Sequence, residues 1–89
     1  MAELFDVAVK VISVDKRCSG GMEVGKEWVI ARHTPDGLCL SAYHSIYPYF
    51  RVLRCGGSFP WSDDPDRCTS CCPDPGHRVV FELRRIRKQ

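Results

Sequence analysis

Residues 38–54 read LCLSAYHSIYPYFRVLR, and the spacing within this run decides the fold class. Cys39, Tyr43, Ile46, Phe50 and Leu53 recur at steps of four, three, four and three, which lays one apolar stripe along a helix. Thr34-Pro35-Asp36-Gly37 supplies start signals just before it. A threonine caps, a proline suits the first turn, and an aspartate complements the helix dipole. Gly56-Gly57 supplies the stop signal just after it. Pro48 lies inside the run, where it lacks an N–H and its ring crowds the carbonyl of His44. The spacing therefore predicts either one kinked helix or two short helices meeting near Tyr47.

The flanking segments follow a different period. Phe5, Val7, Val9 and Val11 alternate with Asp6, Ala8 and Lys10, as in a strand buried on one face. The alternation stops near Asp15-Lys16-Arg17, and Ser19-Gly20-Gly21 has turn chemistry. A second strand is expected from about Val24 to Ile30, with Trp28 and Ile30 on one face. Val79, Phe81 and Leu83 alternate with Val80, Glu82 and Arg84 in a last strand. Residues 58–76 carry Pro60, Pro65, Pro73, Pro75 and Gly76 and read as a long loop rich in proline and cysteine, with Trp61 as its anchor. The expected architecture is α+β: a small antiparallel sheet packed against the kinked helix or helix pair, all within one domain spanning residues 1–89.

Composition excludes several function classes. With 44% hydrophobic and 27% charged residues, the chain has ordinary globular usage. A net charge of +2 from 13 basic and 11 acidic residues gives no electrostatic case for a nucleic-acid partner. Arg84, Arg85, Arg87 and Lys88 read as a solvated strand end and tail, and Asp63, Asp64, Asp66 and Asp74 as a polar loop. The apolar runs are too short for a membrane span, and no secretory leader pattern is present, so the expected compartment is the cytoplasm. Thiols stay reduced there, which makes the six cysteines core residues, metal ligands or redox thiols rather than a disulfide framework.

Among those cysteines, Cys68-Thr69-Ser70-Cys71-Cys72 is the sharpest local feature. A C-x-x-C spacing lets two thiolates share a tetrahedral metal, or lets two thiols form a disulfide. If the first and last strands pair antiparallel, Cys18 and Cys72 lie at the same end of the sheet. That arrangement would make Cys18, Cys68, Cys71 and Cys72 the candidate ligands for zinc or iron, with Cys55 within reach. The plainer reading is that buried cysteines act as small hydrophobes, and Cys39 on the helix stripe fits it best.

His44 falls off the stripe, on a flank with Leu40, Tyr47 and Arg51. An imidazole beside an arginine and a tyrosine suits an anion or acid–base work; its plain alternative is one hydrogen bond beside Pro48. His44, Arg51 and Trp61 are thus the candidate ligand-binding residues. The aromatic density of Tyr43, Tyr47, Tyr49, Phe50, Phe59 and Trp61 near Arg51 and Arg54 suits either a stacking platform or a core. His33 and His77 occupy loop positions without a partner pattern. No phosphate loop, Ser-His-Asp order, paired carboxylates or calcium-loop spacing is present.

Thr34-Pro35-Asp36-Gly37-Leu38-Cys39, Ala42-Tyr43-His44, Tyr47-Pro48-Tyr49 and Leu53-Arg54 with Gly56-Gly57 together form a specific pattern. Pro60-Trp61, Cys72-Pro73-Asp74-Pro75 and Val79-Val80-Phe81-Glu82 extend it. The chain resembles an uncharacterised family of small prokaryotic proteins that share these motifs along nearly the whole length, with a looser match from Cys18 to Trp28. The resemblance implies that Cys18, Cys39 and Cys72 belong to the shared pattern. It also implies that Cys55, Cys68 and Cys71 are particular to this chain, and that Met22 stands where many relatives carry histidine. It assigns no activity. The functional expectations are a small binding or accessory module with a thiolate metal site, a thiol-based redox enzyme using Cys71 or Cys72, or an interaction domain with inert cysteines. The partner is expected to be a protein or a small molecule.

Overall fold

The structure is a computed structural model, and it describes residues 4–14, 23–72 and 78–87. Five elements follow along the chain: β1 (Val7–Val14), β2 (Glu27–Ile30), α1 (Leu40–Arg54), β3 (Arg67–Cys71) and β4 (Val79–Arg85). The strands form one antiparallel sheet in the order β2-β1-β4-β3. α1 crosses one face of it, against β1, β4 and β3. The α+β architecture expected from the sequence is the one observed.

β1 sits at the centre because its valines fit a pleated surface and bury completely. Val7, Val9 and Val11 have no exposed surface and face the core with Val79, Phe81 and Leu83 of β4. The register pairs Val9 with Leu83 on one side and with Trp28 on the other. Between Val11 and Ser13 the ladder to β4 slips by one residue, so Ile12 is bulged and its side chain is exposed. β2 is shorter than expected, because Val24 and Gly25 form a turn in which Gly25 takes φ +95°. Trp28 and Ile30 do share the buried face, and the Trp28 indole N–H donates to the Asp36 carbonyl at 3.0 Å.

α1 buries Ala42, Ile46, Phe50 and Leu53, with Tyr43 and Cys39 half-buried at the rim of the same core. Its start differs from expectation. Thr34 does not cap it: residues 36 and 37 form a turn, with Gly37 at φ +85°, and the helix begins at Leu40. A glycine in that left-handed conformation cannot be an inner helix residue, so the start signals serve a turn beneath Trp28. The helix is continuous through Pro48, which leaves one helix rather than two. Its end is a Schellman motif. The Gly57 N–H donates to Val52 O at 2.8 Å and the Gly56 N–H to Leu53 O at 3.2 Å, with Gly56 at φ +88°.

Two further expectations are corrected. Residues 58–76 are not loop throughout, since β3 lies inside them. Its inward row is Cys68 and Ser70, continued by Cys72 just past its end, so cysteine and serine take the places usually held by larger apolar residues. The arginines of β4 and beyond are not simply solvated. Arg85 is 5% exposed. It pairs with Asp66 at 3.1 Å and donates to the carbonyls of Leu53 at 3.0 Å, Pro65 at 3.4 Å and Gly57. Arg84 pairs with Asp64 at 3.1 Å, and Arg87 grips Asp66 through two contacts of 2.7 Å. The basic and acidic clusters of the sequence are partners; Lys88 and Asp74 lie outside the described residues.

Candidate functional site

α1 shows solvent an unusual face. Leu40, His44, Tyr47, Pro48 and Arg51 fall at helical spacing along the side opposite the core, and all are exposed. Leu40 is 82% and Tyr47 43% exposed. Leu40, Tyr43, His44, Tyr47 and Pro48 line a concavity of about 340 Å³. The Tyr43 and Tyr47 rings meet at a centroid distance of 5.8 Å, and Tyr47 leans on Phe50 at 6.1 Å, so the outer aromatics rest on the core beneath. This layering fixes the rings while leaving their outer surfaces bare. Pro48 contributes a rigid wall and, having no N–H, removes the partner that the His44 carbonyl has elsewhere in a helix.

The formal charge carried by α1 has one sign. The sequence of α1, LSAYHSIYPYFRVLR, contains no aspartate or glutamate. Among the described residues, the His44 and Arg51 side chains make neither an ion pair nor a hydrogen bond. The neighbouring Arg54 behaves differently, bonding the Phe5 carbonyl at 3.3 Å and approaching Asp6 at 3.8 Å.

Of the three ligand-binding candidates, the structure brings two to one surface. His44 lies in the concavity, and Arg51 follows Tyr47 by one turn on the same side. Trp61 is elsewhere. It is 69% exposed, stacks on Phe59 at 5.0 Å, and lines a separate hollow of about 170 Å³ with Ser62, Asp63, Arg67, Cys68 and Thr69. It is therefore the outer end of a Tyr49–Phe59–Trp61 ladder rather than a buried loop anchor. The sequence placed Leu40, Tyr47 and Arg51 beside His44 but gave no sign that Pro48 would complete the wall.

The candidate metal ligands among the described residues do not converge. Cys68 and Cys72 are buried, and Cys71 is exposed. Three residues apart in a strand, Cys68 and Cys71 project to opposite faces, so the C-x-x-C pair cannot close on one ion. Burial pushes the Cys68 thiol up to about 11, which disfavours the thiolate that a metal needs. β1 and β4 do pair antiparallel, and the Cys72 N–H bonds Val79 O at 2.9 Å at the end where β1 finishes. Cys18, the proposed companion of Cys72, lies outside the described residues. Among the described residues no three His, Cys, Asp or Glu side chains gather in a metal-binding group.

Cys71 borders a further hollow of about 420 Å³ with Ser45, Tyr49, Thr69, Ser70 and Val80. There the Ser45 hydroxyl donates to the Cys71 carbonyl and lies 3.4 Å from the Ser70 hydroxyl, joining α1 to β3. Cys55 is exposed at the other end of the helix, and Cys39 is half-buried at its start. Among the described residues no helix is long and apolar enough to cross a membrane. No protein-family model, no curated protein and no solved structure matches the chain, so the surface itself has to carry the functional argument.

Proposed function

We propose that the protein is a small binding module that holds a partner on the outer face of α1. The observation that carries this reading is the exposure of Leu40 and Tyr47 around the His44 concavity, on a helix whose inner face already fills the core. A lone exposed apolar side chain needs no explanation, but a contiguous set around a hollow does. The open face of the sheet offers a contrast. Its neighbours Glu27, Lys10 and Glu82 alternate in charge across three strands, and the exposed Val29 on that face lines no hollow with other apolar side chains among those described.

Selection of randomised displayed peptides on the immobilised protein tests the reading without assuming a charge preference. Selected peptides are expected to lose about tenfold in affinity for Tyr47→Ala, the scale of an interface hot spot. They are expected to bind Lys10→Ala, altered on the open sheet face, as they bind the wild type. Peptides indifferent to Tyr47 would reject the reading.

A second reading, thiol chemistry, draws support from the exposure of Cys71 beside the hydroxyls of Ser45, Thr69 and Ser70. Cys72 is too buried to serve as its nucleophile. A zinc or iron site is a weaker proposal: it needs Cys72 to draw ligands from beyond the described residues, without Cys68. Metal content and the reaction rate of Cys71 separate these readings from the first, which predicts neither bound metal nor a fast thiol.

A further inference from the structure

We infer that the partner on α1 is a short protein segment that presents apolar side chains together with carboxylates. The inference rests on the reading of α1's outer face as the contact surface and adds the chemistry of what it holds. The apolar part follows from the walls: Leu40, Tyr43, Tyr47 and Pro48 surround the hollow. The acidic part follows from the Arg51 charge and from the imidazole as a hydrogen-bond donor. α1 has no carboxylate of its own, His44 stands in the concavity, and Arg51 stands a turn beyond it.

Arg54, Arg67, Arg84, Arg85 and Arg87 are each matched with a carboxylate of this chain. Among the described residues Arg51 is not, and neither is Arg32 outside the helix; the Arg51 guanidinium is suited to bidentate carboxylate recognition. Complementary charge at the rim of an apolar contact raises the association rate and rejects basic competitors.

Length and charge count point to a protein segment. From Leu40 to Arg51 the face extends for about 17 Å along the helix axis, more than a small ligand covers and close to an amphipathic helix of about twelve residues lying in a groove. An anionic lipid surface is recognised by clusters of roughly four to eight Lys and Arg. This side of α1 offers one arginine and one histidine around a hollow.

The test uses the whole chain and three labelled synthetic peptides of about twelve residues, the length that spans the face. One combines Leu and Phe with Glu, the second has Lys in place of each Glu, and the third keeps Glu but has Ser in place of the apolar residues. Vesicles of phosphatidylcholine with phosphatidylserine serve as the lipid probe. Amide chemical shifts locate binding, and fluorescence anisotropy measures affinity. The Glu–apolar peptide is expected to shift residues 40–51 and to bind about tenfold more tightly than the other two. Arg51→Glu is expected to reverse the preference between the Glu and Lys peptides. Arg51→Gln, which adds no negative charge near the helix C-terminus, is expected to abolish the preference. Equal or tighter binding of the Lys peptide on residues 40–51 overturns the acidic partner but leaves the contact surface standing. So does tighter binding of the vesicles there. If no probe shifts residues 40–51, the contact surface and the acidic partner both fail.

Discussion

Cys68 and Cys71 show how the same residue type takes opposite roles when strand geometry turns one inward and the other outward. Cys68 packs in the core, and its thiol is pushed up to about 11 because the apolar surroundings penalise the thiolate. The folded value lies above the unfolded one, near about 8.5. The stabilising contribution is therefore complete below the unfolded value and is lost as pH rises through the folded one. Thermal stability is expected to fall between about pH 9 and pH 11, and less steeply in Cys68→Ala after allowance for its lower starting point. Near neutral pH, iodoacetamide should modify Cys71 and Cys55 at the ordinary rate of an exposed thiol, leaving Cys68 and Cys72 protected until unfolding. Mass spectrometry of partly labelled protein will show the order, and labelling of Cys68 as fast as Cys71 contradicts the burial. None of this was legible in the C-x-x-C spacing. The same letters bring two sulfurs together on a turn and separate them on a strand, and only the pairing with β4 selects the strand.

At the scale of elements, α1 and β1 were legible because each carries one strong period. β3 was not, because Arg-Cys-Thr-Ser-Cys lacks large apolar residues and is fixed by tertiary pairing rather than by propensity. The start of α1 is ambiguous in the sequence for a related reason: Thr34-Pro35-Asp36-Gly37 suits a turn as well as a cap, and the bond from Trp28 to Asp36 favours the turn. Pro48 bears most directly on function. A proline in a helix interior costs about 3 kcal/mol relative to alanine, yet this one sits on the exposed side and walls the hollow. Pro48→Ala is expected to stabilise the fold by about 1–3 kcal/mol while weakening partner binding, a trade familiar at functional sites. Denaturant melts paired with peptide affinity will show it, and an unchanged or lower stability would count against a strained wall. Gly56→Ala should lower stability by about 1–2 kcal/mol, since the Schellman turn holds φ at +88°.

Across the whole molecule, one corner joins parts of the chain that the sequence keeps far apart. The Phe5 N–H bonds the Arg54 carbonyl at 2.9 Å, and the Phe5 ring lies under the guanidiniums of Arg85 at 5.2 Å and Arg87 at 5.6 Å. Arg85 in turn holds the helix end at Leu53 and Gly57 and the loop at Pro65 and Asp66. Placing a cation at a helix C-terminus is favourable in itself. Here it also donates to the carbonyls of Gly57 and Pro65 and shares the Leu53 carbonyl with the Gly56 N–H. Replacing it by Arg85→Met keeps most of the apolar stem but strips those bonds, and should cost about 2–4 kcal/mol.

The same corner predicts an acid response. The hydrogen bond from Arg87, with the charges of Arg87, Arg85 and Arg84, holds the Asp66 carboxyl below its ordinary value, against the opposing effect of desolvation. The backbone N–H of Asp66, aided by Arg84, does the same for Asp64. Both folded values are lowered. Their stabilisation is therefore present above the unfolded carboxylate value, near about pH 4, and is lost as pH falls through the folded values. From about pH 5 downwards the wild-type melting temperature should drop more steeply than that of Asp66→Asn, which starts lower and has no charge at this position to lose. Amide exchange should show residues 62–67 opening before β1 does, because the loop depends on these pairs whereas β1 is held by apolar burial on its core face. Equal acid slopes in the two proteins would mean that Arg85 and Arg87 hold the corner without help from the Asp66 charge.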